Sequence, residues 1–367
     1  MMAGEGSKGV EGLRCVVTGG SGFVGRRLVE MLVERGAKHV VSFDIRNPDP
    51  DPLMEFLSEE QKAKVTYIQG DLTKPADVSK ACEGADAVWH IAALVGPFHK
   101  HEMYLKVNYE GSLNVLNACK EHGITRLVAS SSPSTRFDGS DIYDLTEDQL
   151  KIQEPGHFMQ AYAETKAMGE MAIREASSDT FFTVAVAPHQ VYGPRDGLFL
   201  PNLMYACRAG KLRIFGNGQN RVSFTHVDNY CHGLIIALDK LYKGSPACGK
   251  FYVVTDDEYL KFWDVLDSAS VELGYGSLWA KTKLPYSLLM FIAYFLKGIT
   301  MATGHMFRVN PFTVKMLTIH RAFNITNAKR DLDYKPVISF EDGWKQTTDW
   351  FKANNDWWIS RAEATMK

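Results

Sequence analysis

Short apolar runs alternate with amphipathic stretches through the first half of the chain. Leu13–Thr18, His39–Phe43, Val65–Gln69, Ala87–Ile91 and Arg126–Ser130 are compact and largely apolar, and each reads as a buried strand. Between them apolar residues recur at helical spacing, over Phe23–Arg35 and most clearly over Glu102–His122. Strand and helix in alternation predict right-handed βαβ units and a parallel sheet covered on both faces. Phe181–Ala187 adds a strand. Beyond it proline and glycine punctuate the chain to Asn220, and the expected elements are short: Arg213–Phe215, Val222–Thr225, a helix Asn229–Leu241, and Phe251–Val254. A last amphipathic helix, Ser339–Phe351, carries Trp344 and Trp350, assigned to core packing.

The first strand runs into Thr18-Gly19-Gly20-Ser21-Gly22-Phe23-Val24-Gly25. In such a turn one glycine permits the tight bend, a second lets backbone approach a pyrophosphate, and a third lets helix and strand pack closely. The helix N-terminus then offers free N–H groups and a partial positive charge to the anion. Asp44 closes the next strand, where a carboxylate accepts bonds from ribose hydroxyls and repels a 2′-phosphate. NAD is therefore the expected cofactor, with Arg46 leaving NADP open. Asp71 ends the third strand at the ligand edge, and reads equally as a turn or N-cap acid. The expected fold is α/β: a Rossmann-type doubly wound parallel sheet over residues 13–187, and a smaller, irregular substrate domain over most of 188–367. Residues 1–12, glycine-rich and polar, are expected to be a disordered lead-in without the apolar core of a signal peptide.

One stretch departs from both patterns. Leu284–Leu296 carries no charge, and only Lys297 interrupts the apolar or small residues up to Gly304. A spanning helix needs about 20 such residues, so the segment is borderline. It reads as a core helix, a span, or a helix lying in the membrane interface. Tyr286, Phe291, Tyr294 and Phe295, flanked by Lys281, Lys283, Lys297 and Arg308, favour lipid contact over core.

Composition removes some classes of function. The 367 residues carry a net charge of −2, so no basic field points to nucleic acid. Six cysteines are scattered without a Cys-x-x-Cys pair, so neither a zinc site nor a disulfide framework is expected, and no metal is assigned.

Tyr162-Ala163-Glu164-Thr165-Lys166 sets a phenol and an ammonium on one helix face. A nearby ammonium favours the phenolate, which makes the tyrosine a candidate general base. The spacing alone proves little, but the pair follows Ser130-Ser131-Ser132 at the end of the fifth strand. With these motifs the chain resembles the extended short-chain dehydrogenase/reductases. The resemblance implies catalytic roles for Ser132, Tyr162 and Lys166, with Lys166 also on the nicotinamide ribose, and an active-site role for Asn108. It places cofactor contacts at Gly19, Gly22, Phe23, Val24, Gly25, Asp44, Asp71, Leu72, Ala92, Ala93, Tyr162, Lys166, Pro188 and Val191. Where that family has an arginine before the proline, this chain has Ala187.

Within the family, Ser131-Ser132-Pro133-Ser134, Phe137-Asp138-Gly139 and the late apolar segment are similar to the 3β-hydroxysteroid dehydrogenase branch, above all to its sterol-carboxylate enzymes. That implies oxidation of a sterol 3β-hydroxyl with loss of CO2 from C4, at the endoplasmic reticulum membrane or lipid droplets with the catalytic part facing the cytosol. A cytoplasmic protein is the alternative, and a homodimer is compatible with either. Asn220-Arg221-Val222-Ser223-Phe224 instead resembles the nucleotide-sugar epimerases and dehydratases, the competing reading. A 3β-hydroxysteroid dehydrogenase/isomerase and a catalytically silent NAD sensor are further alternatives. Ser134 and Arg221 are the candidate substrate contacts, Arg221 because a guanidinium matches a diphosphate or a carboxylate.

Overall fold

The computed structural model describes residues 9–46, 57–96, 99–305, 307 and 309–366. The lead-in expected over 1–12 lies outside them as far as residue 8. Ordered structure has begun by Gly9, since Val10 is buried in the main core and Gly12 N–H donates to the Gly36 carbonyl.

The strands, in chain order, are β1 (Arg14–Thr18), β2 (His39–Asp44), β3 (Val65–Gln69), β4 (Ala87–His90), β5 (Arg126–Ser130), β6 (Ile142–Leu145) and β7 (Phe182–Pro188). They continue with β8 (Val191–Tyr192), β9 (Arg221–Val222), β10 (Thr225–His226), β11 (Lys250–Val254), β12 (Leu260–Lys261) and β13 (Arg321–Phe323). The main sheet runs β3-β2-β1-β4-β5-β7-β11, and every pairing in it is parallel. Strand order reverses between β1 and β4, which opens a crevice at their carboxyl ends, where open α/β sheets bind ligands. The predicted parallel sheet is thus present, with strand bounds displaced by one residue at most. It takes two elements from beyond residue 187, because β11 and the helix Val227–Asp239 pack into the main core.

A smaller sheet, β12-β9-β13-β6, joins distant parts of the chain and supports the second half. Arg213–Phe215 forms no strand, only a bridge from Phe215 to Leu284. Around it Trp263, Phe262, Phe224 and Trp344 build a second aromatic core, as assigned for Trp344, and Trp350 packs at its margin. The long helix expected over Glu102–His122 is divided. His101–Tyr104 and Gly111–Glu121 are α-helical, and Leu105–Glu110 between them is a π-turn, a distortion that recurs at functional sites.

The apolar segment is one helix, Tyr286–Thr303, ended by Gly304 in the left-handed conformation. It is long and apolar enough to cross a membrane, yet only 11% of it is buried. Leu289 and Ala293, one turn apart, pack on Val314; Phe291 is 72% exposed and Met301 80%. The reading as a core helix is therefore wrong for this segment. Of its expected cationic flank, Arg308 lies outside the described residues.

Candidate active site

At the first turn, backbone sterics enforce the glycines. Gly19 takes φ +72°, and its N–H donates to the Phe43 carbonyl at 2.7 Å. A Cβ on Gly20 would stand 2.2 Å from Ser42 Oγ, and one on Gly25 would stand 2.0 Å from the Gly19 carbonyl oxygen. The absent side chain at Gly25 lets the helix Phe23–Glu34 close on the turn after β1, and that at Gly20 lets the turn lie against β2. Gly22 faces the open side. The cavity in front has a volume of about 1310 Å3 and is lined by the turn, Asp44, Asp71, Leu72, Ala92, Ala93, Ser132, Tyr162, Lys166, Pro188 and Val191. Every expected cofactor contact and the candidate catalytic residues Ser132, Tyr162 and Lys166 thus share one cleft. It is elongated enough in its lining, from Asp44 on β2 to Pro188 on β7, for a dinucleotide rather than a single phosphate.

Asp44 closes that cleft at the end of β2. It is 8% exposed and accepts the N–H groups of Ser21, at 3.1 Å, and Arg46, at 3.0 Å. Asp71 lines the cleft but also accepts from the Thr73 N–H and hydroxyl, so the turn role weighed from sequence operates as well. Behind the cleft His90 bridges Thr18 Oγ1, at 2.8 Å, and Ser112 Oγ, at 3.0 Å. Burial holds His90 down to about 3, so it remains a neutral strut at physiological pH.

Asn108 sits in the π-turn, buried and away from the cleft lining. Its amide holds Leu94 at both ends, accepting from the N–H at 2.8 Å and donating to the carbonyl at 3.2 Å, and donates to Thr165 Oγ1 at 3.3 Å. It ties the loop after β4 to the tyrosine helix, Ala161–Glu175. Asn108, for which the family resemblance implied an active-site role, thus holds this loop against the helix and does not itself line the cleft.

Tyr162 and Lys166 project from that helix. Ser132 begins the tight turn Pro133–Arg136, and its Oγ is hydrogen-bonded to Ser134 Oγ at 2.9 Å. Ser134 thus contacts the candidate catalytic serine and does not itself line the cleft. Burial pushes Tyr162 up to about 12, offset in part by a hydrogen bond with Ser132. Burial outweighs the lowering expected from Lys166, whose ammonium donates to the Ser130 carbonyl at 2.8 Å. Lys166 is itself lowered to about 8 by burial, with Glu170 opposing.

Two features escaped the sequence reading. Glu170, one turn beyond Lys166, takes a bidentate ion pair from Arg136 at 2.6 and 2.8 Å and a hydrogen bond from Ser131 at 2.6 Å. Tyr230 donates toward Ser130 Oγ at 2.7 Å and lines the cleft. Both steady the serine segment. Arg221, by contrast, is exposed on β9, donates to the Tyr259 carbonyl and stands outside the cleft lining, so the structure withdraws it as a candidate substrate contact.

The model of the 3-beta hydroxysteroid dehydrogenase/isomerase family matches residues 16–285. The chain belongs to that family. It is 35% identical over 93% of its length to 3beta-hydroxysteroid-dehydrogenase/decarboxylase isoform 1 of Arabidopsis thaliana, of which it covers 81%. It is 34% identical over 92% of its length to a sterol-4-alpha-carboxylate 3-dehydrogenase, decarboxylating, of Homo sapiens, of which it covers 88%. Among solved structures, a dTDP-glucose 4,6-dehydratase from Streptomyces venezuelae shares the fold, with a TM-score of 0.73 over 95% of this chain and all of that one, at 19% identity.

Proposed function

We propose that this protein oxidises the 3β-hydroxyl of a 4α-carboxysterol with NAD and releases the carboxyl group as CO2. The observation that carries the reading is that Ser132, Tyr162 and Lys166 line the same cleft as the glycine turn. The identity to a decarboxylating sterol-4-alpha-carboxylate 3-dehydrogenase over nearly the whole chain supports the substrate class.

The glycine turn, the Phe23 helix N-terminus and Asp44 would hold the dinucleotide. NAD, when bound, supplies the hydride acceptor and a cationic nicotinamide ring. Ser132 holds the C3 oxygen, and Tyr162, as phenolate, takes the hydroxyl proton while the C3–H bond breaks. A phenol held near 12 needs neighbouring positive charge to ionise, and the Lys166 ammonium is the protein's own source of it. Once C3 is a ketone, the carboxylate at C4 is β to a carbonyl. Its C–C bond breaks, CO2 leaves, and the electron pair passes to the C3 oxygen as an enolate stabilised by the Ser132 and Tyr162 hydroxyls. Protonation at C4, from Tyr162 or water, completes the ketone. The test is NADH absorbance with NAD and a 4α-carboxysterol, set beside UDP-sugars. Signal with the sterol supports the reading; turnover of a UDP-sugar and none of the sterol overturns it.

The exposed apolar helix gives such a substrate its route. At 1.5 Å per residue an 18-residue helix spans about 27 Å, a little under the ~30 Å bilayer core. Its Leu289–Ala293 face is already held against Val314, which suits a helix lying in one leaflet better than one crossing it. Docking at the endoplasmic reticulum or lipid-droplet surface belongs to the same proposal. Replacing Phe291, Tyr294, Phe295 and Met301 together by serine is expected to move the protein from floated phospholipid vesicles to the soluble fraction, with NAD affinity unchanged. Vesicle binding undiminished in that variant contradicts the interfacial helix.

A further inference from the structure

The two signs of charge are distributed unequally in the last third of the chain. From Leu273 to Arg330, 58 residues, there is no aspartate or glutamate, although the whole chain carries 43. At that frequency the stretch would hold about seven. Its lysines and arginines are not depleted: there are eight, slightly above the chain's average. Apolar character alone would have thinned both signs, so the asymmetry is one of charge. The remaining residues hold all 43 acids against 33 of the 41 cations, a net charge of −10. The chain is therefore a basic segment set into an acidic protein, and the exposed apolar helix Tyr286–Thr303 lies within that segment.

Three of the eight cations are engaged within the protein: Arg321 donates to the Met316 carbonyl, Lys329 pairs with Asp257 and Arg330 with Asp331. Lys281, Lys283 and Lys297 form no ion pair among the described residues, and they gather about the apolar helix. Leu284 is fixed by its N–H on the Ile214 carbonyl, at 2.9 Å, and by the Gly216 N–H on its own carbonyl, at 2.8 Å. That holds Lys283 just before the helix, its Nζ 4.3 Å from the centre of the Trp279 ring, an arrangement suited to a headgroup boundary. Lys297 is on the helix itself, six residues after Phe291, and so projects about 120° away from it. Leu288, Phe291 and Phe295 face solvent, while Leu289 and Ala293 pack with Val314. Lys297 stands at the border of the two faces, where its stem lets the ammonium reach headgroups while the rings enter the acyl layer. We propose that this surface selects anionic phospholipid, with the three ammonium groups on the headgroups and Phe291 and Phe295 below them. The acid-rich remainder of the protein, repelled by the same lipid, turns the helix toward it. This rests on the proposed membrane docking and names the lipid that it prefers.

The experiment measures flotation of the full chain with two kinds of vesicle, phosphatidylcholine alone and phosphatidylcholine with about 30% phosphatidylserine. The wild type is expected to bind the anionic vesicles about 100-fold more tightly at low salt, the scale for three lysines at a charged surface. That advantage is expected to shrink about 10-fold in about 0.5 M salt. Lys281→Gln, Lys283→Gln and Lys297→Gln combined are expected to cut the preference to about 5-fold or less, with phosphatidylcholine binding and NADH affinity within about 2-fold of wild type. Arginine at the same three positions is expected to keep the preference, because the charge is kept. Equal binding of the wild type to both vesicles, or a preference unchanged in the glutamine variant, overturns the selectivity and leaves the docked helix in place. Binding to neither vesicle overturns the selectivity and the docking together.

Discussion

Tyr162→Phe is expected to lower oxidation of a 4α-carboxysterol by about 10³-fold or more, while NAD affinity stays within about 3-fold. The substitution deletes one oxygen and keeps the ring that packs edge-on against Tyr104, at 6.2 Å between centroids. The cleft is conserved, so a loss confined to kcat reports the proton acceptor. The wild-type pH profile adds an independent mark. The tyrosine's pKa is raised by burial, and the reactive form is the phenolate, so oxidation is expected to rise with pH above neutrality. A profile flat from pH 7 to 10, or a phenylalanine variant of near-normal kcat, removes Tyr162 from the reaction.

Glu170→Ala is expected to cost about 3–5 kcal/mol of stability in urea unfolding, the range for leaving one member of a buried pair uncompensated. Arg136 is 6% exposed and lies 3.4 Å from the Phe251 ring centroid, where water cannot replace the lost carboxylate. Glu170 also accepts from Ser131 and pairs with Arg174 at 3.1 Å, so its loss frees the segment that carries Ser132. Arg136→Met combined with Glu170→Met is expected to recover most of that stability, because no charge then stays buried alone. A single-variant loss under about 1 kcal/mol, the exposed-pair range, contradicts the account of this network.

Local patterns carried most of the site. The glycine turn, Tyr162 with Lys166, and the serines after β5 are readable because each is a short segment whose backbone or helix spacing sets its geometry. What depends on distant partners was not readable. Glu170 and Arg136 are 34 residues apart, and nothing in either neighbourhood indicates the other. Asn108 looks like any polar residue of a helix until the π-turn shows its amide clamped on Leu94. The direction of an arginine is equally invisible. Arg221 and Arg321 lie on neighbouring strands, with Arg321 paired to Val222, yet one reaches solvent and the other the interior. Hydropathy marked the helix Tyr286–Thr303 but could not say how much of it the protein covers; the exposed Phe291 and Phe295 could.

The central claim is that one cleft couples oxidation at C3 to loss of carbon at C4. Its most direct test follows NADH and labelled CO2 together, from NAD and a sterol labelled in its 4α-carboxyl group. The expected result is release of the two in equal amounts, with both abolished in Tyr162→Phe. NADH formation without labelled CO2, the label remaining on a stable sterol ketone, would contradict it.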